Sequence, residues 1–63
     1  SMTVYDLERT VNSDLTTTVK ISKINFEQLF IEIDIEALYS TILYLKTNYR
    51  CKFKQLIDIT AVD

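Results

Sequence analysis

Residues 52–63, K-F-K-Q-L-I-D-I-T-A-V-D, decide how the whole chain is interpreted. The stretch begins with charged residues around one aromatic side chain, Phe53, and continues into a run of aliphatic and β-branched residues. Such a run is typical of a strand. We therefore predict a strand over residues 57–62, preceded by one helical turn over 53–56, and interpret everything upstream as the scaffold that this strand completes.

Size and composition limit what the chain can be. It has 63 residues, 48% hydrophobic and 25% charged, which predicts one folded α/β domain over residues 2–63 rather than a disordered chain. A domain this small buries only about 60% of the surface of its unfolded chain, so disulfides, metals or association usually stabilise it. A single cysteine, Cys51, and the absence of histidine exclude an internal disulfide and half of the usual zinc ligands. The remaining source of stability is association with another chain, or the rest of a longer protein of which this chain is a part.

Charge and residue usage exclude several classes of function. The net charge of −2 argues against a chain that binds polyanions over its whole surface. The sequence contains no glycine, and therefore none of the glycine-rich loops that cradle phosphate groups. Its apolar runs are much shorter than the ~20 residues that span a membrane, so we expect no direct membrane insertion.

The first half of the chain predicts a short helix and a β-hairpin. A Thr-x-x-Asp start and helical spacing of aliphatic residues predict the helix over 3–13. Alternation of apolar and polar residues predicts one strand over 16–23, with Val19 and Ile21 on its buried face, and a second over 29–34. The link between the strands is short, so they must run antiparallel.

The second half predicts an amphipathic helix over 35–47, with Asp34 as its N-cap, and an exposed loop over 48–52. A helix between two strands is a crossover connection, so the last strand should run parallel to the second. The predicted fold class is α+β, in the order α-β-β-α-β. The short N-terminal helix and the hairpin are followed by the amphipathic helix, which packs on a small mixed sheet that the third strand completes. That strand leaves an open edge, which favours pairing with another chain.

Several residues could carry chemistry, but each has a simpler interpretation. Cys51 has no histidine to act as its base, so an unreactive loop thiol is the simpler view. Asp58 and Asp63 are five residues apart on a strand and point to opposite faces, which prevents a carboxylate pair. Glu32 and Asp34 share a strand face, which fits a solvated surface better than a cation site. We assign no catalytic and no metal-binding residue.

A basic segment over residues 46–54 is the remaining charged feature. Its composition resembles a nucleic-acid footprint. The segment is small and the chain has nine acidic residues, so a solvated loop or a docking surface for an acidic partner fits better. On the long helix, an outward Tyr44 could be an interface anchor or a scattered surface residue. The basic segment consists of Lys46, Arg50, Lys52 and Lys54, with Tyr49 and Phe53 between them.

The closing segment resembles a known family signature. Residues 53–63 are similar to the C subunit of NADH:quinone oxidoreductase, respiratory complex I, in which an aromatic residue precedes a leucine, an aliphatic-Asp-aliphatic step, a small polar residue and a final Val-Asp. The upstream strand and a helix ending in Leu-Lys-Thr-Asn fit the same family. The signature positions, which are also the candidate interface, are Phe53, Leu56, Asp58, Thr60 and Asp63.

The resemblance implies a structural rather than a catalytic role within the complex. Family members are longer, so this chain would be the N-terminal part of one. They hold no cofactor of their own, because neighbouring subunits carry the iron–sulfur clusters and the quinone site. The implied partners are other complex I subunits, mainly the D subunit. The implied location is peripheral to the inner membrane, on the matrix side in mitochondria or on the cytoplasmic face in bacteria.

Two other functions stay open from the sequence. The chain could be a small protein–protein interaction module that associates through its open strand edge, with another copy or with a different protein. It could also bind nucleic acid through residues 46–54, although the acidic net charge leads us to expect no nucleic-acid partner.

Overall fold

The computed structural model describes the backbone of residues 1–63 and every side chain except that of Cys51. The predicted order of elements is confirmed, and the helical turn predicted before the last strand is the end of a longer helix. A 3-10 turn, Ile35–Ala37, precedes the second helix. The elements are α1 (Val4–Asp14), β1 (Val19–Asn25), β2 (Gln28–Asp34), α2 (Leu38–Asn48), α3 (Arg50–Leu56) and β3 (Ile57–Val62).

The three strands form one mixed sheet in the order β1-β2-β3. β1 runs antiparallel to β2, as the short hairpin requires. β3 runs parallel to β2, with pairs from Leu29 opposite Ile57 to Asp34 opposite Val62. The predicted parallel crossover is therefore confirmed. β2 is the central strand, and the outer edge of β3 pairs with no other strand of the described chain.

One face of the sheet carries the hydrophobic core. The predicted alternation in β2 is confirmed, because Leu29, Ile31 and Ile33 are buried while the residues between them are partly exposed. Burial of each such side chain stabilises the fold by about 1.5–3 kcal/mol. Both long helices contribute to this core, which makes a two-layer fold with the other sheet face open. The helical core residues are Val4, Leu7 and Val11 of α1, Leu45 of α2, and Tyr49 at the end of α2.

Helix α1 begins with the predicted capping box. The Thr3 hydroxyl accepts a hydrogen bond from the Asp6 N–H at 3.1 Å, and the Asp6 carboxylate accepts one from the Thr3 N–H at 3.1 Å. Arg9 also pairs with Asp6. The hydrogen bond from the Thr3 backbone is the largest of the effects that lower the pKa of Asp6. The helix ends at Asp14, one residue beyond the prediction.

Strand β1 differs from the prediction in its start and in its phase. It begins at Val19 because the Val19 N–H still bonds to the Leu15 carbonyl at 3.0 Å, in the turn that follows α1. A register shift between Val19 and Ile21 then reverses which side chains point inward. The prediction that Ile21 is buried is wrong, since it is 56% exposed on the outer face. Ser22 points inward instead, where its hydroxyl donates a hydrogen bond to Glu8 at 3.0 Å.

A two-residue turn connects β1 and β2. Asn25 pairs with Gln28, so only Phe26 and Glu27 lie between the strands. Both have positive φ, 53° and 57°, which is the signature of a type I′ turn. Neither residue type favours this conformation, and the left-handed region costs roughly 1–2 kcal/mol for each L-residue. Phe26 is also 88% exposed at the tip of the hairpin.

The beginning of the second helix is also different from the prediction. Asp34 has extended backbone angles but makes no capping hydrogen bond with its side chain. Its carboxylate lies 3.4 Å from the Lys20 ammonium. The Asp34 side chain therefore forms an ion pair between β2 and β1 and does not cap the helix. The chain therefore enters the helix through the 3-10 turn, and the regular α-helix begins only at Leu38.

The predicted exposed loop over residues 48–52 is wrong. Helix α2 continues to Asn48, and α3 begins at Arg50, so only Tyr49 separates them. Tyr49 is 8% exposed and belongs to the core. Its N–H bonds to the Leu45 carbonyl at 2.8 Å, and its own carbonyl accepts from the Phe53 N–H at 2.8 Å. The helical turn predicted at 53–56 is thus the end of a seven-residue helix.

Candidate interaction surfaces

The five signature residues do not converge on one site. Phe53 and Leu56 are half-buried in α3 and pack against the core. Asp58 and Thr60 are exposed on the outer face of β3, where Asp58 lies beside Phe30 and Thr60 beside Glu32. Asp63 is exposed at the end of the described chain. Two of these residues therefore hold α3 in place, and three lie on a surface that a partner could reach.

The outer face of the sheet forms a shallow cleft of about 350 Å³. The register change in β1 places Ile21 there, beside Glu32 of the central strand. The surface thus combines apolar and charged side chains, and protein interfaces contain both, the apolar ones at the centre and the polar ones at the rim. Its lining residues are Ile21, Lys23, Phe30, Ile31, Glu32 and Thr60.

The edge of β3 is the part of the sheet for which the sequence predicts pairing with another chain. The Asp58 carboxylate accepts a hydrogen bond from the N–H of Ile59 at 3.0 Å. One backbone donor of the edge strand is therefore already engaged by a local side chain. A charged residue at such a position also hinders pairing with a second strand. The edge is open, and Asp58 places a charge on the edge strand.

A second cleft, of about 520 Å³, lies where α2 meets α3. Three exposed cations of the predicted basic segment share it, and the half-buried Phe53 lines it as well. Lys52 instead lines a neighbouring hollow of about 320 Å³, and Tyr49 is in the core. The residues of this basic cleft are Lys46, Arg50, Phe53, Lys54 and Gln55.

One polar cluster has no counterpart in the sequence-based predictions. The outward orientation considered for Tyr44 is wrong, because its hydroxyl donates to the Asp14 carboxylate, and the Tyr49 hydroxyl donates to the same Asp14 oxygen at 3.0 Å. The two rings meet edge to face, with centroids 6.1 Å apart. The hydrogen bond to Asp14 raises the pKa of Tyr44, and burial together with Asp14 raises the pKa of Tyr49. The cluster joins the end of α1 to the end of α2, and the 30-residue separation left no local signal for it.

The remaining candidate residues lie apart from one another. Glu32 and Asp34 share the outer face of β2, as predicted. No three metal-binding side chains come together among the residues that the structure describes. The backbone of Cys51 lies in α3, but its side chain is outside the described part, so the interpretation of its thiol stays a prediction. Within the described chain, no helix has the length and apolar character to cross a membrane.

Fold and surfaces together define a small two-layer α+β domain with clefts on the open sheet face and at the α2–α3 junction. Over 58 residues the chain is 31% identical to the C subunit of NADH-quinone oxidoreductase from Rhodopseudomonas palustris (strain BisB18). That alignment covers 92% of this chain but only 29% of the relative, so the chain spans less than a third of the relative's length. No family model and no solved structure matches the chain.

Proposed function

We propose that the chain is part of the C subunit of an NADH-quinone oxidoreductase and has a structural role in that complex. The observation that carries the proposal is the 31% identity along nearly the whole chain. The signature resemblance of residues 53–63 points to the same family. The fold adds a reason for the signature, because its residues secure α3 against the core and form the exposed part of β3.

The proposed role is to contact neighbouring subunits while electrons pass from NADH to quinone elsewhere in the complex. In this proposal the chain is the N-terminal part of the C subunit, and its main partner is the D subunit. It holds no cofactor, the iron–sulfur clusters and quinone being bound by its neighbours. It lies at the periphery of the inner membrane, on the matrix side in mitochondria or on the cytoplasmic face in bacteria.

Co-purification tests the proposal directly. The full-length protein that contains this chain is affinity-tagged in its own host, extracted in mild detergent and purified. We expect the other subunits of the oxidoreductase, the D subunit among them, to be recovered with NADH-quinone reductase activity. Recovery of the tagged protein without any of these subunits would contradict the proposal.

Paired charge reversals test whether the exposed signature surface makes the contact. Asp58→Lys changes the outer face of β3, and Glu36→Lys makes the same change at an exposed position in the 3-10 turn. We expect Asp58→Lys to reduce recovery of the partner subunits and Glu36→Lys to leave it unchanged. Equal recovery with both variants would show that β3 does not contribute to the contact.

The second candidate is a self-associating interaction module, which the unpaired outer edge of β3 favours. Sedimentation velocity over a range of concentrations distinguishes the two functions. Strong dimerisation of the wild-type chain, combined with failure to recover oxidoreductase subunits, would favour the module. A monomer in solution that enters the complex would exclude it.

A further inference from the structure

The charges of this chain are unevenly distributed. Residues 37–57 contain four of the seven basic residues and none of the nine acidic ones, which gives that segment a charge of +4. The rest of the chain has three basic and nine acidic residues, a charge of −6, and the two parts sum to the net −2. The positive segment is α2, α3 and the start of β3.

The fold concentrates part of this positive charge in one place. Lys46 near the end of α2, and Arg50 and Lys54 in α3, line the basic cleft around Phe53. The ion pairs found among the described residues join Arg9 to Asp6 and Lys20 to Asp34, so they leave these three cations without a carboxylate. The positive electrostatic potential of these three cations is therefore not neutralised within the cleft.

An apolar surface leads into the cleft. Tyr39 is 80% exposed and Leu43 55% exposed, and helical spacing places both on the same side of α2 as Lys46. Helix α2 is therefore apolar both toward the core, where Leu45 is fully buried, and away from it. A helix that is apolar on two sides usually has contacts on both.

We propose that the basic cleft and the adjoining side of α2 form a docking surface for an acidic segment of another protein. Carboxylates of that segment would pair with Lys46, Arg50 and Lys54, the arginine being suited to bidentate contact. Its aliphatic or aromatic side chains would pack on Phe53 and Leu43. The proposal goes beyond the function proposed above and does not rest on it.

The chemistry of the surface favours a protein partner over nucleic acid. An extended polyanion needs a continuous basic track, whereas the −6 remainder of this chain would repel it beyond the cleft. The exposed apolar side chains of α2 also match protein side chains better than a phosphate backbone. Charge complementarity and the exposed apolar side chains of α2 thus point to one occupant, an acidic and partly hydrophobic peptide segment.

Fluorescence anisotropy with a labelled synthetic peptide, in which Asp and Glu alternate with Leu and Phe, tests the proposal. We expect the full chain to bind it and salt to weaken the binding. The triple variant Lys46→Ala/Arg50→Ala/Lys54→Ala should lose affinity on the order of ten-fold, because three exposed ion pairs are removed. The control is Arg9→Ala/Lys20→Ala/Lys23→Ala, which reaches the same net charge, −2 − 3 = −5, and should keep wild-type affinity.

The apolar part of the surface has its own variant. Leu43→Ser should weaken binding of the peptide and leave its salt dependence unchanged, since no charge is altered. A second peptide with Leu and Phe replaced by Ser should bind the wild type and Leu43→Ser equally. Far-UV circular dichroism of every variant confirms that the fold is retained, so that weaker binding is not mistaken for unfolding.

Four results would overturn the proposal. These are no binding of the peptide to the wild type, equal losses in the two triple variants, oligothymidylate or phosphatidylglycerol vesicles binding more tightly than the peptide, and self-association that depends on the same three cations. The last would make a second copy the occupant. Each result is independent of co-purification with oxidoreductase subunits, so failure here is distinguishable from failure of the proposed function.

Discussion

Among the side chains that the structure describes, Thr41 is the buried polar one, 2% exposed on the inner side of α2. Its hydroxyl oxygen has no hydrogen-bond partner among the described residues. A buried hydroxyl without a partner costs about 1–3 kcal/mol. We therefore expect Thr41→Val, which has a similar shape and helix propensity, to stabilise the fold by about 1 kcal/mol and to raise the melting temperature by roughly 4–8 °C.

Thr47→Val is the matched control, because Thr47 is exposed in the same helix. It should change stability by no more than about 0.5 kcal/mol. Thermal and urea unfolding of both variants provide the measurement. Destabilisation by Thr41→Val would mean that its hydroxyl does have a partner in solution.

The Tyr44–Tyr49–Asp14 cluster predicts a loss of stability at alkaline pH. In the folded state the pKa of both tyrosines lies above the ordinary value of 10.0, so folding favours the neutral phenols. This stabilisation is complete below about pH 10 and is lost as the pH rises from there toward the folded-state pKa. We expect Tyr44→Phe/Tyr49→Phe to be less stable than wild type at neutral pH, and its stability to fall less above pH 10.

Urea unfolding at a series of pH values checks this prediction. Tyr5→Phe is the control, since Tyr5 is 62% exposed and lies on the other end of α1 from Asp14. It should show the pH profile of the wild type. If the free energy of unfolding of the double variant falls above about pH 10 as steeply as that of the wild type, the two phenols are not the cause of the loss of stability at alkaline pH.

Individual residues could be predicted where a local period placed them. Leu29, Ile31 and Ile33 alternate strictly and are buried as expected. Tyr49 could not be found in this way, because it is flanked by polar Asn48 and Arg50 and resembles part of a loop. It packs in the core, and its hydroxyl bonds to Asp14, 35 residues away, so its contacts are not local in the sequence.

At the scale of elements, the hairpin turn stores strain that substitution can remove. Phe26 and Glu27 both hold positive φ, which Asn and Gly adopt more readily. Phe26→Asn/Glu27→Gly should therefore stabilise the chain by about 1–2 kcal/mol. Glu36→Gly, at an exposed position of the 3-10 turn without positive φ, should be neutral or destabilising. The urea midpoints of the two variants measure these changes in stability. Destabilisation by Phe26→Asn/Glu27→Gly would show that the hairpin turn is not strained.

Strand β3 gives a prediction about association. Asp58 places a charge on the edge strand and engages the Ile59 N–H. Asp58→Val removes both effects and adds a β-branched residue, so we expect a larger dimer fraction in sedimentation velocity. Glu36→Val removes an equal charge away from the edge and should leave the monomer–dimer equilibrium unchanged. If both variants dimerise equally, lower net charge rather than edge pairing is the cause.

The order of elements was predictable because helical and strand periods are local and the crossover rule is general. The phase of β1 was not, since the register shift after Val19 turns Ile21 outward, and the partly buried positions that follow are Ser22 and Ile24. Ser22 faces inward to meet polar Glu8 and Asn12 of α1, and such a pairing between distant elements leaves no periodic signal. The length of α3 was missed because its apolar residues are few and its first turn carries the charged Arg50 and Lys52, which look like part of a loop.

At the scale of the whole molecule, one side of the sheet is covered by helices and the other is open. The open β3 edge was predictable from the sequence, and the role of the signature residues in 53–63 as an interface stays a prediction. The fold divides them, since Phe53 and Leu56 face the core while Asp58 and Thr60 face outward. The first two belong to helix α3 and the other two to one face of strand β3, so a contiguous sequence signature need not be a contiguous surface.

Hydrogen exchange on the assembled complex tests which edge of the sheet meets a partner. If the chain contacts neighbouring proteins of the complex through β3, its backbone amides should exchange more slowly in the complex than in the isolated chain. β1 is the internal control, because it is the other edge of the same sheet and reports any general stabilisation of the fold. Greater protection of Ile57–Val62 than of Val19–Asn25 is the expected result. Equal protection of both strands would mean that assembly only stabilises the domain, and protection of β1 alone would place the partner on the opposite edge.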